Sequence, residues 1–176
     1  MSELRFECPA PLLARGMRTR PECAADLPAL RALYREQRWA EFAMLPWDDA
    51  ARAAFIDQQF EAQQRHYTLS QEQVLFLVLI EGERVVGRLY LGGDAADAVR
   101  LMDILLLPEC RGQGLGTALI AALLEQAAAA GREVSLQVEK GNPAAGLYRR
   151  LGFRAYADTG IAWQMVWSPN RSCLPE

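Results

Sequence analysis

Histidine is almost missing from this chain, which carries one, His66, in 176 residues. That leaves no histidine cluster to hold a metal and makes a histidine-based catalytic triad a poor reading; near the end of a helical segment, His66 reads as a surface or capping residue. Cysteine is sparse as well: Cys8, Cys23, Cys110 and Cys173 are scattered without metal-ligand spacing. With no charged-then-apolar leader opening the chain, they read as free thiols rather than a disulfide frame, and a cytoplasmic setting is expected. The longest uncharged apolar segments, such as Val74–Ile80, fall far short of the roughly 18 residues of a membrane span. There is no surplus of positive charge either. A net charge of −3 argues against general nucleic-acid or anionic-membrane binding, which rests on a basic surface.

Internal repeats, low-complexity tracts and linkers rich in Gly, Pro or Ser are also lacking, so one domain is expected. A hydrophobic content of 51% with 23% charged residues is ordinary globular usage, in a chain long enough to bury a core. Residues 15–20 read as a strand, followed by a helix from about Ala24 to Arg38 with Leu27, Leu30, Leu33 and Tyr34 on one side. Asp26 and Pro28 suit its start. A second helix spans about Asp49 to Arg65, capped by Asp48 or Asp49, with Ala51, Phe55, Ile56, Gln59, Phe60 and Gln63 at helical spacing. Val74–Ile80 and Arg84–Leu91 form a hairpin through Glu81-Gly82-Glu83, and Val99–Leu107 is the next strand. The helix after it carries Leu115, Leu119, Leu123 and Ala127 on one stripe and ends at Gly131. Arg132–Glu139 then returns as a strand, Asn142 or Pro143 opens a short helix to about Leu151, and Phe153–Ala157 and Ile161–Trp167 are the last strands.

The most informative stretch runs from Leu105-Leu106-Leu107 through Pro108-Glu109-Cys110 into Arg111-Gly112-Gln113-Gly114-Leu115-Gly116-Thr117. An apolar strand passes through a glycine-rich turn into a helix. Glycines at 112, 114 and 116 leave N–H groups unshielded at a helix N-terminus, where orphan donors and the positive dipole end favour an anion. Arg111 adds a positive charge beside them. Packing alone is a weak reason for the pattern, since each glycine costs about 1 kcal/mol of helix propensity. A P-loop would need Lys then Ser or Thr after its last glycine, but Thr117 and Ala118 follow Gly116. A dinucleotide fingerprint would want Gly or Ala at 117 and should open the first βα unit, so NAD or FAD fits poorly.

What remains, Arg-x-x-Gly-x-Gly at Arg111, Gly114 and Gly116, resembles the acyl-CoA-binding motif of the GNAT N-acetyltransferase superfamily. Downstream, Asn142-Pro143-Ala144-Ala145-Gly146-Leu147-Tyr148-Arg149-Arg150-Leu151-Gly152-Phe153 resembles the family's second motif, with Asn, Tyr and Gly-Phe in register. The two motifs cover roughly residues 99–157, and the family's order of elements can be laid over about residues 15–167. The resemblance implies a mixed α/β fold of α+β layers. Its single domain would hold a central, mostly antiparallel twisted sheet, splayed between two parallel strands and flanked by helices. Residues 15–168 would form the domain, 1–14 an N-terminal extension and 169–176 a tail.

It further implies acetyl-CoA as acyl donor, no metal, and transfer to an amine by direct attack. Leu105, Leu106 and Leu107 would carry the pantetheine arm, with the N–H of Leu106 or Leu107 polarising the thioester carbonyl. Arg111, Gly112, Gln113, Gly114, Leu115, Gly116 and Thr117 would hold the pyrophosphate. Tyr148 matches the position whose phenol reaches the CoA sulfur as general acid, and otherwise reads as a packing tyrosine on an amphipathic helix. Asn142 matches a pantetheine contact and also suits a helix cap; Thr117 can serve phosphate or bond its own backbone.

Asp103 is the one carboxylate inside the apolar run Leu101-Met102-Asp103-Ile104-Leu105-Leu106-Leu107. Buried unpaired it would be expensive, so it either faces a polar cleft, where it can take an amine proton, or is held by a partner such as Arg88 or Arg100. The segment Trp39 to Asp49 sits where the family walls its acceptor pocket. Its aromatics and carboxylates suit a cationic amine, or pack the core edge while the aspartates cap a helix. The expected acceptor is a primary amine of a small molecule or peptide. A non-catalytic acyl-CoA-binding domain is the rival reading, and a nucleotide binder ranks behind both. Homodimerisation is open, with Trp163–Trp167 as a candidate edge or an ordinary half-buried strand.

Overall fold

The computed structural model describes residues 4–69, 73–93 and 98–169. A helical turn, α1 (Ala10–Leu13), precedes strand β1 (Met17–Pro21), and two helices follow, α2 (Leu27–Arg38) and α3 (Asp49–Leu69). Strands β2 (Val74–Glu81), β3 (Arg84–Gly93) and β4 (Val99–Leu106) form a meander. Helix α4 (Leu115–Ala129) leads to β5 (Val134–Glu139), α5 (Ala144–Arg150), β6 (Arg154–Asp158) and β7 (Ala162–Trp167). One seven-stranded sheet has the order β1-β2-β3-β4-β5-β7-β6. Every pairing is antiparallel except β4 with β5. This is the mixed, mostly antiparallel sheet that the family resemblance implies, and β7 proves to be an interior strand, so the exposed edge on that side is β6 rather than Trp163–Trp167.

Two apolar layers cover the sheet. Against one face pack Leu115, Leu119, Ile120, Leu123 and Ala127 of α4, with Leu89, Leu91, Leu101, Val134 and Leu136 from the strands. Leu4 and Leu12, from the stretch ahead of β1, are buried in that same layer. Against the other face Leu30, Leu33 and Tyr34 of α2 meet Ile56 and Phe60 of α3 over Val78 and Ile80. Burying side chains of this size stabilises by about 1.5–3 kcal/mol each. Only Ile56 and Phe60 of the expected α3 stripe are buried, so α3 is a lid on the sheet more than a core helix.

Local chemistry accounts for most element ends. Gly82 at φ 60° closes the β2–β3 turn, and Gly131 at φ 67° ends α4. The Ala51 N–H donates to Asp48 Oδ1 at 2.7 Å, which caps α3 as anticipated. The start of α2 differs from expectation: Ala24–Asp26 is a 3₁₀ turn, and Asp26 does not cap the helix through its side chain. Arg20 takes both carboxylate oxygens at 2.7 Å, and the Cys23 N–H donates to Oδ2. The guanidinium and that hydrogen bond hold the Asp26 carboxyl well below its ordinary range. Cys8, Cys23 and Cys110 are free thiols; Cys173 lies outside the described residues.

Candidate active site

The sheet opens at its one parallel pairing. Strands β4 and β5 are in register only from Val99 to Leu101 and from Val134 to Leu136. Beyond that, β4 runs on to Leu106 against β3 and β5 to Glu139 against β7, with no pairing between them. A bulge begins the divergence: Tyr90 faces Asp103 and Leu91 faces Leu101, so Met102 has no partner on β3. An extra residue bends a strand and increases its twist. It also flips the faces, placing Leu105 against the α2–α3 layer and Ile104 and Leu106 against the α4 layer. Gly87 permits the close approach of β3, because a Cβ there would stand 2.6 Å from the Leu105 carbonyl oxygen. The gap is a cleft of about 480 Å³ that passes through the sheet. Tyr34, Gln37 and Glu41 line it on one face, and Gly116, Ile120, Leu147 and Tyr148 on the other.

Main chain builds the α4 side. The Leu107 N–H donates to Val86 O at 2.9 Å, and because N–H directions alternate along an antiparallel strand, those of Leu106 and Ile104 point away from β3 toward the gap. Of the two expected oxyanion donors, Leu107 is therefore committed to the sheet and Leu106 is the one on the cleft. The turn that follows needs its glycines: Gly112 and Gly114 have φ of 69° and 78°, and Gly114 is the N-cap of α4 with no side-chain cap bond. The first-turn N–H groups of α4 thus lack intrahelical acceptors and remain open to an anion. Gly116 is needed for no positive φ; a Cβ there would approach Leu106 Cδ1 at 3.8 Å, an ordinary contact.

Two side chains brace the turn. Arg15 donates to the Gln113 carbonyl oxygen at 3.2 Å and to its Oε1 at 2.6 Å, and Gln113 Nε2 donates to Glu109 O at 2.6 Å. Arg111, expected to add charge beside the turn's N–H groups, is also tied to the cleft. Its Nε donates to Leu106 O at 3.0 Å and its Nη2 to Gln37 Oε1 at 2.8 Å, which carries it across the mouth of the cleft to α2.

Tyr148 sits on α5 with 7% of its surface exposed and its ring edge-to-face with Phe153 at 5.7 Å. It lines the cleft, and burial, helped by the Asp103 charge, pushes its phenol up to about 12. A phenol in that state keeps its proton at neutral pH and can donate it. Asn142 Oδ1 accepts the Ala144 N–H at 2.9 Å at the start of α5, the local role expected of it, and the residue also lines the cleft.

On the α2–α3 side the wall is made of charged and polar side chains. Asp103 has the partner the sequence offered as an alternative: Arg88 Nε donates to Oδ2 at 2.7 Å, and Nη2 contacts the same oxygen. Arg38 pairs with Glu41 at 3.0 Å across an i,i+3 step. Of the segment Trp39–Asp49, only Glu41 lines the cleft. Phe42 and Trp47 pack on Phe55 at 5.2 and 5.1 Å, and Arg52 lies 4.9 Å over the Trp39 ring. These aromatics pack the core edge, as the plainer reading had it.

Of the residues singled out from sequence, Asp103, Leu105, Leu106, Arg111, Gly116, Asn142 and Tyr148 line the cleft together. Gly112, Gln113, Gly114 and Thr117 are exposed on the turn at its end, whereas Leu115 is buried and Leu107 packs between the two layers. Sequence reasoning missed Tyr34, Gln37, Gln63 and Glu139 as cleft residues. Gln63 carried a faint signal as a polar residue on the inward side of a helix; the others carried none.

An opened parallel strand pair with an anion-ready helix terminus at its end suits an extended ligand that carries phosphate at one end. The description of the acetyltransferase (GNAT) family matches residues 30–153. The chain belongs to that family, and acetyl-CoA is the donor of such enzymes. Solved structures share the fold. The PaiA N-acetyltransferase of Thermoplasma acidophilum, in complex with coenzyme A, is 20% identical, with 86% of this chain and 98% of that one covered at a TM-score of 0.64. The ribosomal-protein-S18-alanine N-acetyltransferase of Escherichia coli is 23% identical over 89% and 96% of the chains, TM-score 0.58. The yncA protein of Salmonella typhimurium, solved with its cofactor acetyl-CoA, is 22% identical over 92% and 98%, TM-score 0.53.

Proposed function

We propose that this protein transfers an acetyl group from acetyl-CoA to a primary amine of a small molecule or peptide by direct attack. The observation that carries the reading is the cleft itself, which has an open helix terminus at one end, a protonated buried phenol on the donor face and a carboxylate on the opposite face. The residues present fit the donor. The N–H groups at Gly112–Gly116 suit its pyrophosphate, and the Leu106 backbone edge suits its pantetheine amides.

When bound, acetyl-CoA supplies an activated thioester. The Leu106 N–H then stands on the cleft wall to stabilise the oxyanion that forms when a thioester carbonyl is attacked, a contact worth about 3 kcal/mol in acyl transfer. Asp103 receives the acceptor's ammonium and takes its proton, directly or through water, freeing the lone pair. As the amine nitrogen bonds to the carbonyl carbon and the C–S bond breaks, the phenol of Tyr148 gives its proton to the sulfur, and the second proton shed by the new amide nitrogen restores the phenol. Three free thiols, Cys8, Cys23 and Cys110, support a reducing, cytoplasmic setting.

Isothermal titration of acetyl-CoA, CoA, ATP and NAD tests the donor, with Gly114→Glu as the blocked control. CoA-ester binding that the substitution abolishes, followed by amine-dependent CoA release, is the expected result. Binding without release for any amine would favour a non-catalytic acyl-CoA-binding domain, and preference for ATP or NAD would sink the reading.

A further inference from the structure

The Arg88 side chain is fully buried, whereas Asp103 keeps 19% of its side chain exposed. Arg88 lies between the rings of Tyr90 and Tyr34, 4.7 and 5.7 Å from their centroids, and its Nη2 donates to Gln63 Oε1 of α3 at 2.8 Å. Its Nη1 is buried with no hydrogen-bond partner among the described residues. Burial alone would lower the guanidinium's pKa, but the Asp103 charge and hydrogen bond outweigh it and hold Arg88 firmly charged. Such a pair is a poor stability device, since an apolar replacement of like shape is often as good or better. Its arrangement has another use. Both Arg88 nitrogens contact Oδ2, which leaves Oδ1 unclaimed by the arginine on a carboxylate that lines the cleft.

We infer that Arg88 is a positioning residue for the acceptor: clamped by Gln63 and the two tyrosine rings, it holds Asp103 so that Oδ1 meets the incoming ammonium. The inference rests on the acetyltransferase reading above and assigns Arg88 no contact with either substrate. The Met102 bulge completes the device, because without that extra residue Asp103 would fall on the opposite face from Arg88.

The test is a double-mutant cycle of Arg88→Met and Asp103→Asn on the full chain. It is read as kcat and KM for benzylamine, L-lysine, spermidine and an alanyl hexapeptide, alongside acetyl-CoA affinity by titration. Each single variant should lower acceptor kcat/KM on the order of 10²-fold and leave acetyl-CoA affinity within about twofold. The double variant should be no worse than Asp103→Asn, because a residue acting only through Asp103 has nothing left to lose. Multiplying losses, or an equal loss of donor affinity, would mean Arg88 is merely structural and would overturn the inference. Should Arg88→Met fail to fold, Gln63→Leu takes its place in the cycle with a smaller expected loss. In the wild type, the Arg88 Nε–H proton resonance should move when an accepted amine is titrated in without donor; a fixed resonance refutes the contact. If the wild type binds acetyl-CoA yet turns over none of the four amines, this inference falls together with the enzymatic reading. Turnover with an inert Arg88→Met overturns this inference alone.

Discussion

On the α4 side of the opened sheet the phosphate end of the cleft is main chain, made of the Leu106 edge, the turn at Gly112 and Gly114 and the first turn of α4, and Tyr148 is the one titratable side chain set into that wall. On the α2–α3 side it is side chains, with Arg88 from β3, Asp103 from β4, Gln63 from α3 and Glu41 beyond α2 each contributing one group. On the proposed reading the phosphate end of the donor half is therefore fixed by backbone conformation and tolerates changes of side chain that keep the turn, whereas its chemistry depends on Tyr148. The proposed acceptor half is fixed by side-chain contacts, an ion pair between neighbouring strands (Arg88–Asp103) and a hydrogen bond from Arg88 to Gln63 of α3, and can be rewritten residue by residue. One fold can thus keep its donor while its acceptor varies.

The sharpest way to separate the halves is Tyr148→Phe, which should lower kcat on the order of 10²-fold while acetyl-CoA affinity, measured by calorimetry, stays within about twofold. A parallel fall in affinity would show that the phenol holds the donor instead of serving the sulfur. Next comes Gly114→Ala, where a methyl at φ 78° strains the backbone by about 1–2 kcal/mol. It should weaken acetyl-CoA binding roughly tenfold and leave the acceptor KM alone.

Alkaline pH offers a third separation. The Tyr148 phenol, pushed up to about 12, keeps its proton in the folded state above the pH at which the unfolded chain loses it. Its contribution to stability is therefore complete below pH 10 and is lost as pH climbs from 10 toward 12. A shift of this size corresponds to about 2–3 kcal/mol. Tyr67, also raised to about 12 by burial, adds the same trend from the acceptor side. Urea midpoints across that window should fall less steeply for Tyr148→Phe than for wild type, and identical slopes would contradict the assignment. The smallest effect is expected from Gln37→Ala. Removing an exposed acceptor of Arg111 should change acetyl-CoA affinity by less than about threefold.

The same division explains what was legible beforehand. The donor half lies in one continuous stretch, Leu105–Thr117, whose glycines advertise their backbone purpose, and Asn142 and Tyr148 follow a second local pattern. The succession of elements along the chain was readable from alternation and turns because each element carries its own period, whereas the sheet they build came from the family resemblance. Asp103 was conspicuous as a charge in an apolar run, yet its partner was undecided between Arg88 and Arg100. Pairing depends on which face each side chain takes, and the bulge at Met102 that sets this leaves no composition signal. Tyr34, Gln37 and Gln63 looked like ordinary helix residues because their role comes from packing two helices over a gap in a sheet. Asp26 misled for a related reason: its cap-like position was taken over by a long-reaching Arg20.

The three-residue ladder between Val99–Leu101 and Val134–Leu136 has a mechanical meaning as well. It is the seam between two half-sheets, one of four strands and one of three, stitched for only part of its length and otherwise spanned by helices. Under thermal agitation or load, a sheet parts along its shortest ladder. The line along which this molecule yields most easily therefore runs through the cleft itself, and any ligand that bridges the gap acts as a suture.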